Sequence, residues 1–337
     1  MMISKKKRTI LKRIFWVFVP AVLVLGLGVV GLDFYLINRL SHPPATEFYT
    51  SPRDLQVIME KPVWSDEKWK NLDSTETLGW FFTQNRTAPA IILSHAYGSN
   101  RSELLTLGFE LWKSGYHVLL YDMRGHGESP VKWSGLGTYE KDDLLSAISF
   151  LREMKTVSGQ PLLDGRVGLY GVDLGGYISL AASSQDPMVK AIAVDSVYPS
   201  VAGFINYRLK SLVGTDSGWA NKIVDSDWTQ RLNELTVQVY LLRREESALA
   251  VDSVASSSGR KFLFIKSKEP GLLADMTKSL HDKTKDHKNI VEVEHTRLGR
   301  LYEQASADYD ARIVAFFREA LPATTEKIGP VASAKKR

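Results

Sequence analysis

Residues Gly171-Val172-Asp173-Leu174-Gly175-Gly176 follow an apolar stretch and precede a helical pattern. In that setting G-x-S-x-G presents a nucleophilic serine, but here the central residue is aspartate. Such a turn works because its glycines let strand and helix cross closely, pushing one side chain up at the helix N-terminus beside backbone N–H groups that can hold an oxyanion. A carboxylate in that place has two possible chemistries. It is already ionised at neutral pH, so it can attack directly or activate water as a base, with a histidine needed to complete turnover. Alternatively it takes the anion's own place, where helix-end N–H groups hold it as a cap, depress its pKa and make it a structural anion.

The elements that must position Asp173 are readable from periodicity. Strands are expected at 78–83, 90–94, 116–121, 167–172 and 191–197, and helices at 102–114, 139–154 and 174–184. Further on, 237–242, 261–265 and 290–294 read as strands, and 272–282 and 302–321 as helices. Strands alternating with helices imply right-handed crossovers and an α/β fold with a mostly parallel central sheet covered on both faces. The stretch 198–235 interrupts the pattern with Phe204, Tyr207, Leu209, Leu212, Trp219 and Trp228 among polar residues, and reads as a small helical cap.

Three segments together resemble the α/β-hydrolase superfamily, especially membrane-anchored bacterial members related to serine aminopeptidases and lysophospholipase-like hydrolases. Ile91 through Arg101, containing His95-Ala96-Tyr97-Gly98-Ser99-Asn100-Arg101, is similar to an HGxGSNR oxyanion loop with alanine for one glycine. Tyr121 through Ser129 is similar to a DxRGHGxS signature, and Gly168 through Gly176 to the nucleophile elbow. The resemblance implies an α/β-hydrolase fold in which His95 braces the oxyanion loop, Asp122 and Arg124 form an internal ion pair, and Tyr97 and Leu174 line the oxyanion pocket. It also implies an acid after a late strand and a histidine after the last one, and both positions depart from the pattern. The acid falls on Pro270, with Glu269 beside it; the histidine falls on Leu298, with His295 three residues early. Candidate catalytic residues are therefore Asp173, with His295 and Glu269 as secondary candidates. Asp195, at a strand end, can face Asp173 or serve the turn.

Length and composition fit one large domain: 337 residues, 44% of them hydrophobic. The net charge of +5 is exceeded by the six basic residues Lys5, Lys6, Lys7, Arg8, Lys12 and Arg13 alone, so the body is slightly acidic and carries no nucleic-acid footprint. Cysteine is absent, which excludes disulfides, thiolate metal sites and a cysteine nucleophile. His281 and His287 lie in a Lys/Asp-rich stretch that reads as a solvated face, so no metal and no cofactor are expected.

Residues 14–37 form an apolar run of the roughly 20 residues a bilayer-crossing helix needs. With the basic cluster before it, the positive-inside rule leaves residues 1–13 in the cytoplasm and the globular domain outside it, as a single-pass membrane protein. A cleaved signal peptide has the same residue order. Gly26-Leu27-Gly28-Val29-Val30-Gly31 matches G-x-G-x-x-G, but it lies inside this run and opens no βαβ unit, so its glycines read as allowing close helix packing in lipid or as doing nothing specific. The expected organisation is a connector over 38–73, an α/β-hydrolase domain over 74–321 with its cap at about 198–235, and a disordered basic tail over 322–337. The expected function is a membrane-anchored protein with a degenerate Ser-His-acid triad that binds a small molecule, lipid or peptide or acts as a scaffold. The alternative is an active ester or amide hydrolase using Asp173 as nucleophile or base.

Overall fold

The computed structural model describes residues 5–44, 46, 49–55, 62–156, 158–213, 218–240, 259–284, 290–298 and 306–323. Their centre is an eight-stranded sheet in the order β1-β2-β4-β3-β5-β6-β7-β8. β1 (Val63–Lys70) and β2 (Glu76–Thr83) form an antiparallel edge, and β2 also pairs antiparallel with β4 (His117–Tyr121). From there β3 (Ala88–Ser94), β5 (Leu163–Val172), β6 (Val189–Asp195), β7 (Lys261–Ser267) and β8 (Ile290–Val293) run parallel. β3 and β4 are buried along their whole length, as central strands covered on both faces must be, which is why their sequences run apolar instead of alternating.

Each face of the sheet has its own apolar layer. One unites Leu105, Leu107 and Leu111 of α3 (Leu105–Lys113) with Ile313 and Phe317 of α10 (Ser306–Ala320). The other unites α4 (Thr138–Glu153), α5 (Leu174–Ser183), α9 (Leu272–His281) and the cap, through Ile148, Leu180, Leu280 and Phe204. The result is an α/β-hydrolase fold, preceded by one apolar helix long enough to cross a membrane.

The cap comprises α6 (Val201–Val213), α7 (Gly218–Val224) and α8 (Asp227–Tyr240), so the strand expected over 237–242 is corrected: 237–240 is helix, and 241–242 lie outside the described residues. Thr236, Val237 and Val239 look like strand residues, but Thr229, Asn233, Thr236 and Val237 are buried at helical spacing. Ser226 caps the helix by accepting from the Thr229 N–H at 3.3 Å.

The segment 38–73 is not a plain connector. It contains α2 (Pro52–Leu55) and the edge strand β1, and its first residues continue α1 (Lys5–Leu40). α1 runs through Pro20, and its last turns pack on the domain: Ile37 and Leu40 are buried with the cap-side core. Nothing stands within 4 Å of where a Cβ on Gly26, Gly28 or Gly31 would lie, so no described residue uses those glycines for close packing. Of the expected tail, 324–337 lie outside the described residues.

Candidate active site

The elbow is built by β5 delivering Asp173 to α5. Asp173 has φ 55° and ψ −115°, a left-handed backbone that a non-glycine residue adopts only where its surroundings enforce it. The crossing is glycine-dependent. A Cβ on Gly175 would lie 2.2 Å from the Ser94 carbonyl oxygen, and one on Gly171 would lie 2.1 Å from the Gly175 carbonyl oxygen. The strand-to-helix geometry of a nucleophile turn is thus intact, with a carboxyl group at its tip.

That carboxyl group is wholly buried, and three donors converge on it. Its Oδ2 accepts from the Tyr97 N–H at 3.1 Å and pairs with the Arg208 guanidinium; the Leu174 N–H also hydrogen-bonds the carboxylate. Tyr97 N–H and Leu174 N–H are the two donors expected of an oxyanion hole, one from the loop after β3 and one from the residue following the elbow. The Asp173 carboxyl group therefore lies where those donors would otherwise meet an oxyanion. Arg208, on α6, lies 4.8, 5.2 and 5.4 Å from the ring centres of Tyr97, Phe204 and Tyr207, an aromatic collar that favours a cation. The depressed pKa expected from the helix-end N–H groups is corrected: burial is the largest influence and raises it, with Arg208 and the two N–H groups opposing. Oδ1 has no hydrogen-bond partner.

His95 is buried beneath the loop. Its Nδ1 lies 2.8 Å from the Ala96 carbonyl oxygen and its Nε2 accepts from the Met123 N–H at 3.1 Å, an arrangement that fits only the neutral ring protonated at Nδ1. Burial lowers its pKa to about 4. His126 packs edge-on against His95 and Tyr97, and burial holds its pKa at about 3. The expected Asp122–Arg124 pair is corrected. Asp122 takes Arg101 at 3.2 Å and the Arg101 and Glu128 N–H groups, while Arg124 reaches α4 and binds Asp143 at 2.5 Å. The two side chains leave the loop in different directions because each meets an opposite charge on a different element.

The secondary candidates are not brought to Asp173. Glu269 and His295 are exposed, and among the described residues no histidine hydrogen-bonds Asp173. Leu298, at the expected histidine position, lines a cleft of about 300 Å³ with Ser196, Tyr207, Lys266, Glu269 and Leu272. Asp195 turns away from Asp173: its Oδ2 accepts from the Arg297 N–H at 2.7 Å and the Tyr309 hydroxyl at 2.5 Å, fastening the loop after β8. Only its backbone meets the elbow, where its carbonyl accepts from the Asp173 N–H at 2.9 Å. His281 is buried against Phe264 and is not on a solvated face, and His287 lies outside the described residues. The residue that sequence reasoning missed is Arg208. Its signal was a cation set between Tyr207 and Leu209 in the apolar run of the cap, with Asp173 in need of a counter-charge.

Comparison with known proteins agrees with this fold. A thiohydrolase of Aspergillus aculeatus, aneE, is 27% identical over 141 residues, covering 40% of this chain and 41% of that protein. The uncharacterized protein YqkD of Bacillus subtilis is 30% identical over 102 residues, covering 30% and 32%. The chain thus aligns with less than half the length of these relatives. Among solved structures, the Pf2001 esterase of Pyrococcus furiosus superposes with a TM-score of 0.61 at 18% identity, over 83% of this chain and 98% of that one. The α/β hydrolase GrgF of a Penicillium species does so with a TM-score of 0.57 at 18% identity, over 77% and 99%. These likenesses support the fold. A family model for X-Pro dipeptidyl-peptidases of the S15 type matches residues 82–290, from β2 through the elbow and cap to the start of β8. With an elbow turn, an oxyanion loop and a cap in that span, the chain belongs to the X-Pro dipeptidyl-peptidase (S15) family of the α/β-hydrolase superfamily.

Proposed function

We propose that this protein is a membrane-anchored α/β-hydrolase-fold protein that binds a small molecule, lipid or peptide instead of hydrolysing it. The observation that carries the proposal is the Asp173 carboxylate lying on the Tyr97 and Leu174 N–H groups and paired with Arg208. A substrate carbonyl polarised by those donors would have to displace a charged group held by a guanidinium. The cleft lined by Tyr207, Leu298 and Glu269 is where a ligand would sit. The anchor is supported by the burial of Ile37 and Leu40 in the domain core, which makes the end of α1 part of the fold. The basic residues before the apolar run favour a cytoplasmic N-terminus and a domain on the other side.

One observation favours the rival reading, a hydrolase acting on esters or amides: Oδ1 of Asp173 is unpartnered and could attack. Turnover of p-nitrophenyl esters and of X-Pro-p-nitroanilides by the full chain in nanodiscs separates the two, with Asp173→Ala and Asp173→Ser as comparisons. The binding reading expects all three proteins at the buffer rate, because Asp173→Ser restores a nucleophile but no histidine. Activity in the unsubstituted chain that Asp173→Ala abolishes would overturn it and establish the hydrolase.

A further inference from the structure

Counted from Ile14, α1 meets the domain at about the point where it completes a span of the membrane. Phe15 to Gly28 are exposed. From Val29 onward one face of α1 is engaged while Val30, Gly31 and Leu32 stay exposed: Val29 is half-buried, and Asp33, Ile37 and Leu40 are buried one or two turns apart on a single face. Counting about 20 residues from Ile14, beyond the last basic side chain, places the far membrane surface near Asp33. Asp33 hydrogen-bonds the Thr236 side chain of α8. The cap therefore meets α1 at the membrane surface.

The direction of α8 extends this. Thr236 meets Asp33, and Tyr240 then meets Phe34 edge-on at 5.4 Å and donates to Asn38 Oδ1 at 2.8 Å. Contacts advance in the same sense along both helices, so the earlier turns of α8 point back toward the bilayer. Trp228, eight residues before Thr236, lies up to about 12 Å nearer to it. The side chains presented there suit that position. Trp228, Leu235 and Val239 form an exposed stripe on α8, and Trp219 and Ile223 are exposed one turn apart on α7. Arg231 stands exposed between Trp228 and Leu235, with a stem long enough to carry its charge up to the headgroups. Exposed tryptophans beside an apolar stripe are costly against water and favourable at the lipid interface.

We propose that the exposed α7–α8 face of the cap is seated in the bilayer interface, so that the domain lies on the membrane and is not held off it by a stalk. The inference rests on α1 spanning the membrane, and it commits the cap surface to lipid. A cap seated in this way would admit to the cleft beneath it a ligand that partitions into the bilayer.

The chain has no cysteine, so single sites can be labelled without background. Trp219→Cys, Trp228→Cys and Leu235→Cys, each at an exposed position, would carry an environment-sensitive fluorophore on the full chain in nanodiscs of phosphatidylcholine and phosphatidylglycerol. Leu23→Cys reports on α1, and Val63→Cys on the exposed start of β1, at the end of the sheet away from the elbow. The three cap labels and Leu23 are expected to be quenched several-fold more by a lipid-borne nitroxide than Val63, and several-fold less by aqueous iodide. Cap labels that follow Val63 while Leu23 follows lipid would overturn the seating and leave the span intact. A Leu23 label open to iodide would overturn the span, and the seating with it.

Discussion

Asp173 and Arg208 form an almost closed electrostatic unit at the tip of the elbow. Arg208 is about a fifth exposed and Asp173 wholly buried, so the pair is less costly to keep than a fully sequestered one and still costly to break. Arg208→Met keeps the aliphatic stem among Tyr97, Phe204 and Tyr207 and strands the carboxylate. It is expected to cost about 3 kcal/mol in urea unfolding at pH 8. The sign of its pH dependence follows from burial. The Asp173 pKa is already raised, and losing Arg208 removes the largest influence opposing that rise. As pH falls through the folded-state pKa the carboxyl group takes up a proton and the penalty shrinks, so the stability gap between the variant and the unsubstituted protein should be smaller at pH 5 than at pH 8. A gap independent of pH would mean that the lost stability came from stacking on the aromatic rings and not from charge.

At the scale of elements, the elbow depends on β5 and α5 approaching the loop after β3 more closely than any side chain permits. Gly175→Ala places a methyl group against the Ser94 and His95 carbonyl oxygens, at 2.2 and 2.5 Å, with only backbone to yield. It is expected to lower stability by about 3 kcal/mol and to disturb the Tyr97 N–H contact with Asp173, which amide exchange at Tyr97 would register. Wild-type stability in Gly175→Ala would show that the crossing is looser than it stands here. The same glycines explain how much was legible in advance. G-x-D-x-G-G is a local requirement, and so are the apolar runs of the buried strands, so the elbow and most of the sheet followed from residues near one another. Arg208, 35 residues beyond its partner, belongs to no local pattern, because what selects it is a buried charge that only the folded cap brings near. The Asp122 and Arg124 pairing failed for the same reason: each charge was satisfied by an element distant in sequence. Residues 237–240 were misread because β-branched side chains favour strands, while burial at helical spacing and the Ser226 cap decide otherwise.

At the scale of the whole molecule, the apolar helix α1 is part of the fold. Ile37 and Leu40 belong to the same apolar layer as α4, α5 and the cap. The Leu40 carbonyl accepts from the Tyr97 hydroxyl at 2.8 Å, and the Ser41 carbonyl from the Ser134 N–H at 2.7 Å. The oxyanion loop is thus tied through one tyrosine to the end of the apolar helix: the Tyr97 backbone holds Asp173 while its hydroxyl holds Leu40. Removing residues 1–40 would uncover the cap's inner surface and release that hydroxyl. Two buried aliphatic side chains contribute up to about 3–6 kcal/mol together, which is a large part of the margin by which a domain stays folded. The truncated domain is therefore expected to unfold at a clearly lower urea concentration than the full chain in the same detergent, with Ile37→Ala in the full chain moving the midpoint part of the way. Equal midpoints for the full chain, the truncation and Ile37→Ala would reduce α1 to an appended anchor. A graded loss would mean that the domain's stability and its attachment to the helix are one property, so that a change at the membrane reaches the carboxylate in the oxyanion hole through Leu40 and Tyr97.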